Sequence, residues 1–129
     1  MSQPQGKSIL LVDDEQDVLD SLSFFLSRNG YSVSVASSGT EGLRLAKENL
    51  PHLIVLDLML PDIDGSDVAV ELLQNPATKN IPIVFLTSVF TKSEQMAIGD
   101  LIANRCIVAK PCKPEEILSL VKQHIGASV

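Results

Sequence analysis

LIVLDLMLPDIDG, residues 53–65, begins with four consecutive apolar residues and passes at once into an aspartate and a loop rich in turn formers. A short apolar run that includes β-branched residues is typical of a strand buried on both faces of a sheet. Pro61, Asp62, Asp64 and Gly65 are the residue types that tight turns favour. The segment therefore predicts a buried strand that ends on Asp57.

Four more strands are predicted on either side of this segment. Three of them are apolar runs of the same kind, at residues 9–12, 82–86 and 106–109. The fourth is different, because Tyr31, Val33 and Val35 alternate with serines. Alternation of this kind is typical of a strand solvated on one side, so we expect it at an edge of the sheet.

The segments between the strands carry the signals of helices. Apolar residues recur at helical spacing from Val18 to Leu26 and stop at Asn29-Gly30. Further helices are predicted from about Thr40, after a cap at Ser66, from a capping box at 91–94 and from Pro114. Five strand-helix units in succession predict a doubly wound (βα)5 sandwich of three layers, with helices on both faces of a parallel sheet.

Length and composition are consistent with one globular domain. The chain has 129 residues, of which 45% are hydrophobic and 20% are charged, and we expect residues 1–129 to form a single domain. The net charge of −6 and the pI of about 4.7 argue against direct binding of nucleic acid or anionic lipid. No apolar stretch approaches the ~20 residues that span a bilayer, so a cytoplasmic location without membrane contact is expected.

Chemically capable side chains follow four of the five predicted strands. The first strand ends at Asp13 and Asp14, the third at Asp57, the fourth at Thr87 and the fifth at Lys110. Ligands of open α/β sheets bind beyond the carboxyl ends of the strands, where the strand order reverses. If the order is 2-1-3-4-5, these residues converge on one crevice.

Such a cluster would require a cation, because three carboxylates held together repel one another. Oxygen ligands without histidine or thiolate suit a hard ion, and Mg²⁺ is the natural choice. A carboxylate can also attack phosphorus to give an aspartyl phosphate when nearby cations neutralise the transferring group. Lys110 would supply a fixed ammonium, and Thr87 a hydroxyl donor.

The stretches ILLVDDE at 9–15, LIVLDLMLPDIDG at 53–65, FLTS at 85–88 and VAKP at 108–111 closely resemble those of bacterial response-regulator receiver domains. The resemblance spans nearly the whole chain, in the family's order and separations. It implies a flavodoxin-like fold with strand order 2-1-3-4-5, similar to that of chemotaxis regulators, and membership of a two-component signalling system.

The resemblance also implies a role for each strand-end residue. It assigns a Mg²⁺ site to four positions: Asp13, Asp14, Asp57 and the Met59 backbone carbonyl. Asp57 matches the phosphoacceptor, Thr87 the switch hydroxyl, and Lys110 the lysine that contacts the phosphoryl group. Pro111 matches a proline that often follows this lysine through a cis bond.

The implied partners are a sensor histidine kinase or a histidine phosphotransfer protein, and a downstream effector or an output domain. Phosphorylation would change the surface formed by the fourth helix, the fifth strand and the last helix, which includes Phe90 to Cys106, and a phosphorylation-dependent dimer is a further expectation. Such a receiver is not an enzyme in the usual sense, because it catalyses only its own phosphorylation and dephosphorylation. The chain would be either a stand-alone receiver or part of a longer regulator.

Two other functions are considered. A phosphatase of the haloacid-dehalogenase type also uses a strand-end aspartate with Thr or Ser, Lys and Mg²⁺, but it needs an acid where this chain has Met59. An interaction module that is never phosphorylated would fit Ile107, which stands where many receivers carry a Tyr or Phe that rotates on activation.

Overall fold

The computed structural model describes residues 7–88 and 106–126 of the chain. The strands within these residues are β1 (Ser8–Val12), β2 (Ser32–Ala36), β3 (Leu53–Asp57), β4 (Ile83–Thr87) and β5 (Cys106–Ala109). They form one parallel sheet in the order β2-β1-β3-β4-β5. This order confirms the fold prediction and places β2 at an edge, as its alternating sequence indicated.

The helices of the described residues are α1 (Gln16–Arg28), α2 (Gly39–Asn49), α3 (Gly65–Gln74) and the C-terminal helix (Pro114–Ile125). The helix predicted from the capping box at 91–94 lies outside the described residues, as does most of the predicted output surface. None of the helices that are described is long and apolar enough to cross a lipid bilayer.

Both faces of the sheet are buried, which makes the fold a three-layer sandwich. Ile9 and Leu11 point to one face, where they pack with residues of α1 and the C-terminal helix. Leu10 and Val12 point to the other face and pack with residues of α2 and α3. Each large apolar side chain buried in this way contributes about 1.5–3 kcal/mol, so β1 is held from both sides. Unbroken apolar runs such as residues 9–12 are the sequence pattern expected of strands buried on both faces.

The structure differs from the sequence prediction at two local points. Val35 was expected on the buried side of β2, but 41% of its surface is exposed, because the edge strand is covered along only part of its length. The third helix begins at Gly65, with Asp64 rather than Ser66 in the capping position. The reason is a backbone hydrogen bond of 2.9 Å from Gly65 N–H to Leu58 O, which folds the loop back onto β3 before Ser66 is reached.

Candidate functional site

Strand register brings the strand-end residues to one edge of the sheet. Val12 of β1 lies beside Leu56 of β3, so the residues that follow them, Asp13 and Asp57, leave neighbouring strands at the same level. Thr87 of β4 lies beside Ala109 of β5, and Lys110 follows immediately. The convergence expected from the strand order is therefore present in the structure.

Three carboxylates are close enough to share one metal ion. Asp13, Asp14 and Asp57 can each present an oxygen such that all three oxygens lie within 4.8 Å of one another. Asp13 and Asp57 are buried, whereas Asp14 is exposed at the rim. Because two of the three have lost most of their hydration, their charges cannot be screened by water alone.

Lys110 supplies a positive charge at the centre of this cluster. Its Nζ lies 2.8 Å from Asp13 Oδ2 and 3.0 Å from Asp57 Oδ2, and only 8% of its side chain is exposed. Burial lowers the pKa of this ammonium, but hydrogen bonds to carboxylates outweigh burial and the pKa is raised above its ordinary value. Lys110 is therefore a permanent cation in the site.

The two carboxylate oxygens of Asp13 differ in their hydrogen bonding. Its Oδ1 accepts a hydrogen bond of 2.9 Å from Glu15 N–H. Its Oδ2 is buried close to the Lys110 ammonium, yet within the described residues no donor is aimed at it in hydrogen-bond geometry. Burial raises the pKa of the Asp13 carboxyl, because desolvation disfavours the charged form. A buried oxygen of this kind is suited to a metal ion.

Asp57 is oriented by bonds to both of its oxygens. Oδ1 accepts a hydrogen bond of 3.0 Å from Met59 N–H, and Oδ2 accepts one of 3.0 Å from Lys110 Nζ. Each oxygen keeps lone-pair capacity for another contact. Met59 lies on the loop after β3 with an exposed side chain, and the metal-binding role of its carbonyl stays a prediction.

Thr87 and Lys110 are joined through the backbone. Lys110 N–H donates a hydrogen bond of 2.8 Å to Thr87 O, which extends the pairing of β4 and β5 by one residue. The Thr87 side chain is buried at this point. The bond between Lys110 and Pro111 is cis, as the resemblance implied.

Two residues at this end of the sheet have contacts that sequence reasoning did not assign. Glu15 Oε1 forms an ion pair with Lys110 Nζ, although 95 positions separate them. Asp62, interpreted from the sequence as a turn former, accepts hydrogen bonds from Gly39 N–H and from both the N–H and the hydroxyl of Thr40. Glu15 continues the acidic run that begins at Asp13, but no local sequence pattern predicts either contact.

A family model described as the response regulator receiver domain matches residues 9–122. Among curated proteins, the chain is 39% identical over 125 residues to the alkaline phosphatase synthesis transcriptional regulatory protein PhoP of Bacillus subtilis, covering 95% of this chain and 50% of that protein. The chain spans about half the length of the curated relatives it matches.

Solved structures show the same likeness. A CheY-like response regulator receiver domain protein from Methanospirillum hungatei superimposes with a TM-score of 0.81 at 26% identity, covering 91% of each chain. The receiver domain of a sensor histidine kinase from Pseudomonas aeruginosa gives a TM-score of 0.83 at 27% identity, covering 94% of this chain and 98% of that one, and its structure has a magnesium ion coordinated in the active site cleft. With the acidic cluster, the strand order and the family match in agreement, this chain belongs to the response regulator receiver domain family.

Proposed function

We propose that this receiver domain is a Mg²⁺-dependent phosphoacceptor switch in which Asp57 accepts a phosphoryl group from a phosphohistidine or from a small acyl phosphate. The observation that carries the proposal is the position of Asp57. Its carboxylate contacts the Lys110 ammonium and can share one ion with Asp13 and Asp14, at the carboxyl end of the central strand β3.

The transfer would form one bond and break one. An Asp57 oxygen attacks the phosphorus of the donor, and the bond from phosphorus to the donor's leaving atom breaks, with the electron pair passing to the leaving group. From acetyl phosphate the leaving group is acetate; from phosphohistidine it is imidazole, which takes up a proton. Hydrolysis reverses the modification when water attacks the same phosphorus and Asp57 leaves as a carboxylate.

The donor set supports a divalent ion. Asp13, Asp14 and Asp57 bring three negative charges against the single positive charge of Lys110. All three offer oxygen, which suits Mg²⁺, and the Pseudomonas receiver domain coordinates magnesium in its own cleft. When bound, the ion would neutralise charge on the transferring phosphoryl group. The protein's own part is to hold Asp57 through Met59 N–H and Lys110, so that an oxygen faces the donor.

A cleft lies beside Lys110, the residue whose ammonium contacts Asp57. It has a volume of about 400 Å³ and lies between α1 and the start of the C-terminal helix, with these residues among its lining: Glu15, Val18, Leu22, Ser88, Lys110 and Cys112. We propose a sensor histidine kinase or a histidine phosphotransfer protein as the donor. The phosphorylated domain would act on an effector protein or an output domain. No turnover of external substrates is proposed.

Intact-mass measurement tests the proposal. Purified protein incubated with Mg²⁺ and acetyl phosphate should gain the mass of one phosphoryl group, and EDTA should prevent the gain. Asp57→Asn should abolish it, whereas Asp67→Asn, which removes an exposed carboxylate in the first turn of α3, should not. If the wild type gains no mass, or if Asp57→Asn gains the same mass, the phosphoacceptor function is rejected. Hydrolysis of a phosphate monoester by the purified protein would instead favour a phosphatase.

A further inference from the structure

Glu15 makes an ion pair with Lys110 that the proposed function does not explain. The Lys110 ammonium has three N–H donors, and three carboxylates surround it: Asp13, Asp57 and Glu15. The first two belong to the proposed phosphoacceptor and metal site. Glu15 is the third, and its carboxylate competes with any new anion for the Lys110 ammonium.

The Glu15 side chain has no other structural task among its described contacts. Its residue occupies the N-cap position of α1, but the side chain makes no capping hydrogen bond. The backbone carbonyl alone serves the helix, accepting from Val18 N–H and Leu19 N–H. Glu15 is also outside the group of carboxylates whose oxygens can meet around one ion. The ion pair with Lys110 is therefore the described contact that accounts for the position of the Glu15 side chain.

We propose that Glu15 competes for the Lys110 ammonium before phosphorylation and is displaced by the phosphoryl group. The inference rests on the proposed function, since a phosphoryl group on Asp57 would bring new anionic oxygens to Lys110. These oxygens would compete with the three existing partners for the ammonium. Glu15 is 57% exposed, against 2% for Asp13 and 4% for Asp57, so only its carboxylate can return to water at little cost.

Glu15 therefore sets a small barrier to phosphorylation. Exposed ion pairs are weak, and the loss of this one should raise the rate of phosphorylation by acetyl phosphate about two- to fivefold. Glu15→Gln removes the charge while keeping the size of the side chain. Asp17→Asn is the matched control, because it removes an exposed carboxylate from the first turn of the same helix. The control accounts for the general repulsion between an acidic protein and an anionic donor.

Salt distinguishes charge competition from a structural effect. Screening weakens an exposed pair far more than a buried one. The advantage of Glu15→Gln over the wild type should therefore be largest at low ionic strength and should shrink at high salt. A variant that acted only by loosening α1 would keep its difference in rate at all salt concentrations, which would overturn the proposal.

Two further measurements complete the test. Mg²⁺ titration by calorimetry should give the same affinity for Glu15→Gln and the wild type within about threefold, whereas a loss of tenfold or more would place Glu15 with the metal and reject the proposal. The NMR signal of the Lys110 ammonium, assigned with Lys110→Arg, should shift in Glu15→Gln and not in Asp17→Asn. An unchanged Lys110 signal would reject the contact with Glu15, whether or not the wild type is phosphorylated. Failure of the wild type to be phosphorylated would instead reject the proposed function.

Discussion

Gly65 is predicted from the sequence to be a loop residue, but in the folded chain its role is to permit a close backbone contact. Its sequence context predicts backbone freedom, but within the described residues only Gly30 and Gly126 have positive φ among the glycines. Gly65 is instead a site of close approach. A Cβ at this position would lie 2.1 Å from the backbone oxygen of Asp57, a contact that no side chain can tolerate. The glycine thus lets α3 begin directly against the strand that ends on Asp57.

Gly65→Ala should therefore destabilise the protein and disturb the site. Backbone atoms must move to admit the methyl group, and we expect the free energy of unfolding to fall by about 1–3 kcal/mol, as for other overpacked positions. Urea unfolding measures this loss, and the rate of phosphorylation should fall with it, because Asp57 would move. Ser66→Ala, one residue further along the same helix and half-buried, is the control and should change stability by less than about 1 kcal/mol. Equal stability of Gly65→Ala and the wild type would contradict the close contact.

At the scale of elements, the start of α2 is stabilised by a residue from another part of the chain. Asp62, on the loop between β3 and α3, accepts hydrogen bonds of 2.8 Å from Gly39 N–H, 2.9 Å from Thr40 N–H and 2.6 Å from the Thr40 hydroxyl. These donors would otherwise be unpaired at a helix N-terminus, where negative charge is also favoured. The same bonds fix the loop that follows Asp57, so one carboxylate stabilises a helix and orients part of the site.

Asp62→Asn should lower stability at neutral pH, and the difference should fade in acid. The Thr40 hydroxyl and the two backbone N–H groups hold the pKa of the Asp62 carboxyl well below its usual range. Because the folded-state pKa is depressed, the stabilisation is complete above the unfolded pKa of about 4 and is lost as pH falls below it. Urea midpoints measured near pH 7 and at acid pH should therefore converge for wild type and variant.

Asp64→Asn is the matched control for this experiment. Asp64 lies on the same loop but makes no capping hydrogen bond with its side chain. Its replacement should have little effect on the urea midpoint at either pH. A stability difference between wild type and Asp62→Asn that stayed constant as the pH fell would contradict a contribution from the charged carboxylate.

For the molecule as a whole, the site concentrates negative charge on a chain that is already acidic. The net charge is −6, and three carboxylates meet at one edge of the sheet with one lysine among them. The fold therefore carries an electrostatic cost at the point where it places its functional groups. A bound cation would relieve this cost in the folded state and not in the unfolded chain, where the carboxylates are far apart.

Mg²⁺ should consequently raise the melting temperature. A ligand that binds only the folded state at about one hundred times its Kd adds roughly 2.7 kcal/mol, which is a shift of several degrees for a domain of this size. Differential scanning fluorimetry with Mg²⁺, compared with NaCl at equal ionic strength, measures the effect. Asp13→Asn should lose most of the response, because it removes a buried oxygen that faces the site. An equal shift with NaCl, or an equal response of Asp13→Asn, would contradict a specific site.

Sequence alone determined the five strands, the four helices that the structure describes and the residues that follow each strand. These features depend on short-range patterns, since an apolar run, an amphipathic period or a cap is read within a few residues. Because parallel strands end at one edge of a sheet, the sequence alone assigns the strand-end acids, Thr87 and Lys110 to a common site.

Tertiary structure alone decided the contacts that refine the site. Glu15 reaches Lys110 across 95 positions, Asp62 reaches Thr40 across 22, and Gly65 is required because a strand backbone passes beside it. None of these pairings leaves a local pattern, because each depends on how far a loop turns and on which side of a strand a helix begins. The sequence specifies chemistry at the strand ends, whereas packing in three dimensions specifies which neighbours share each charge.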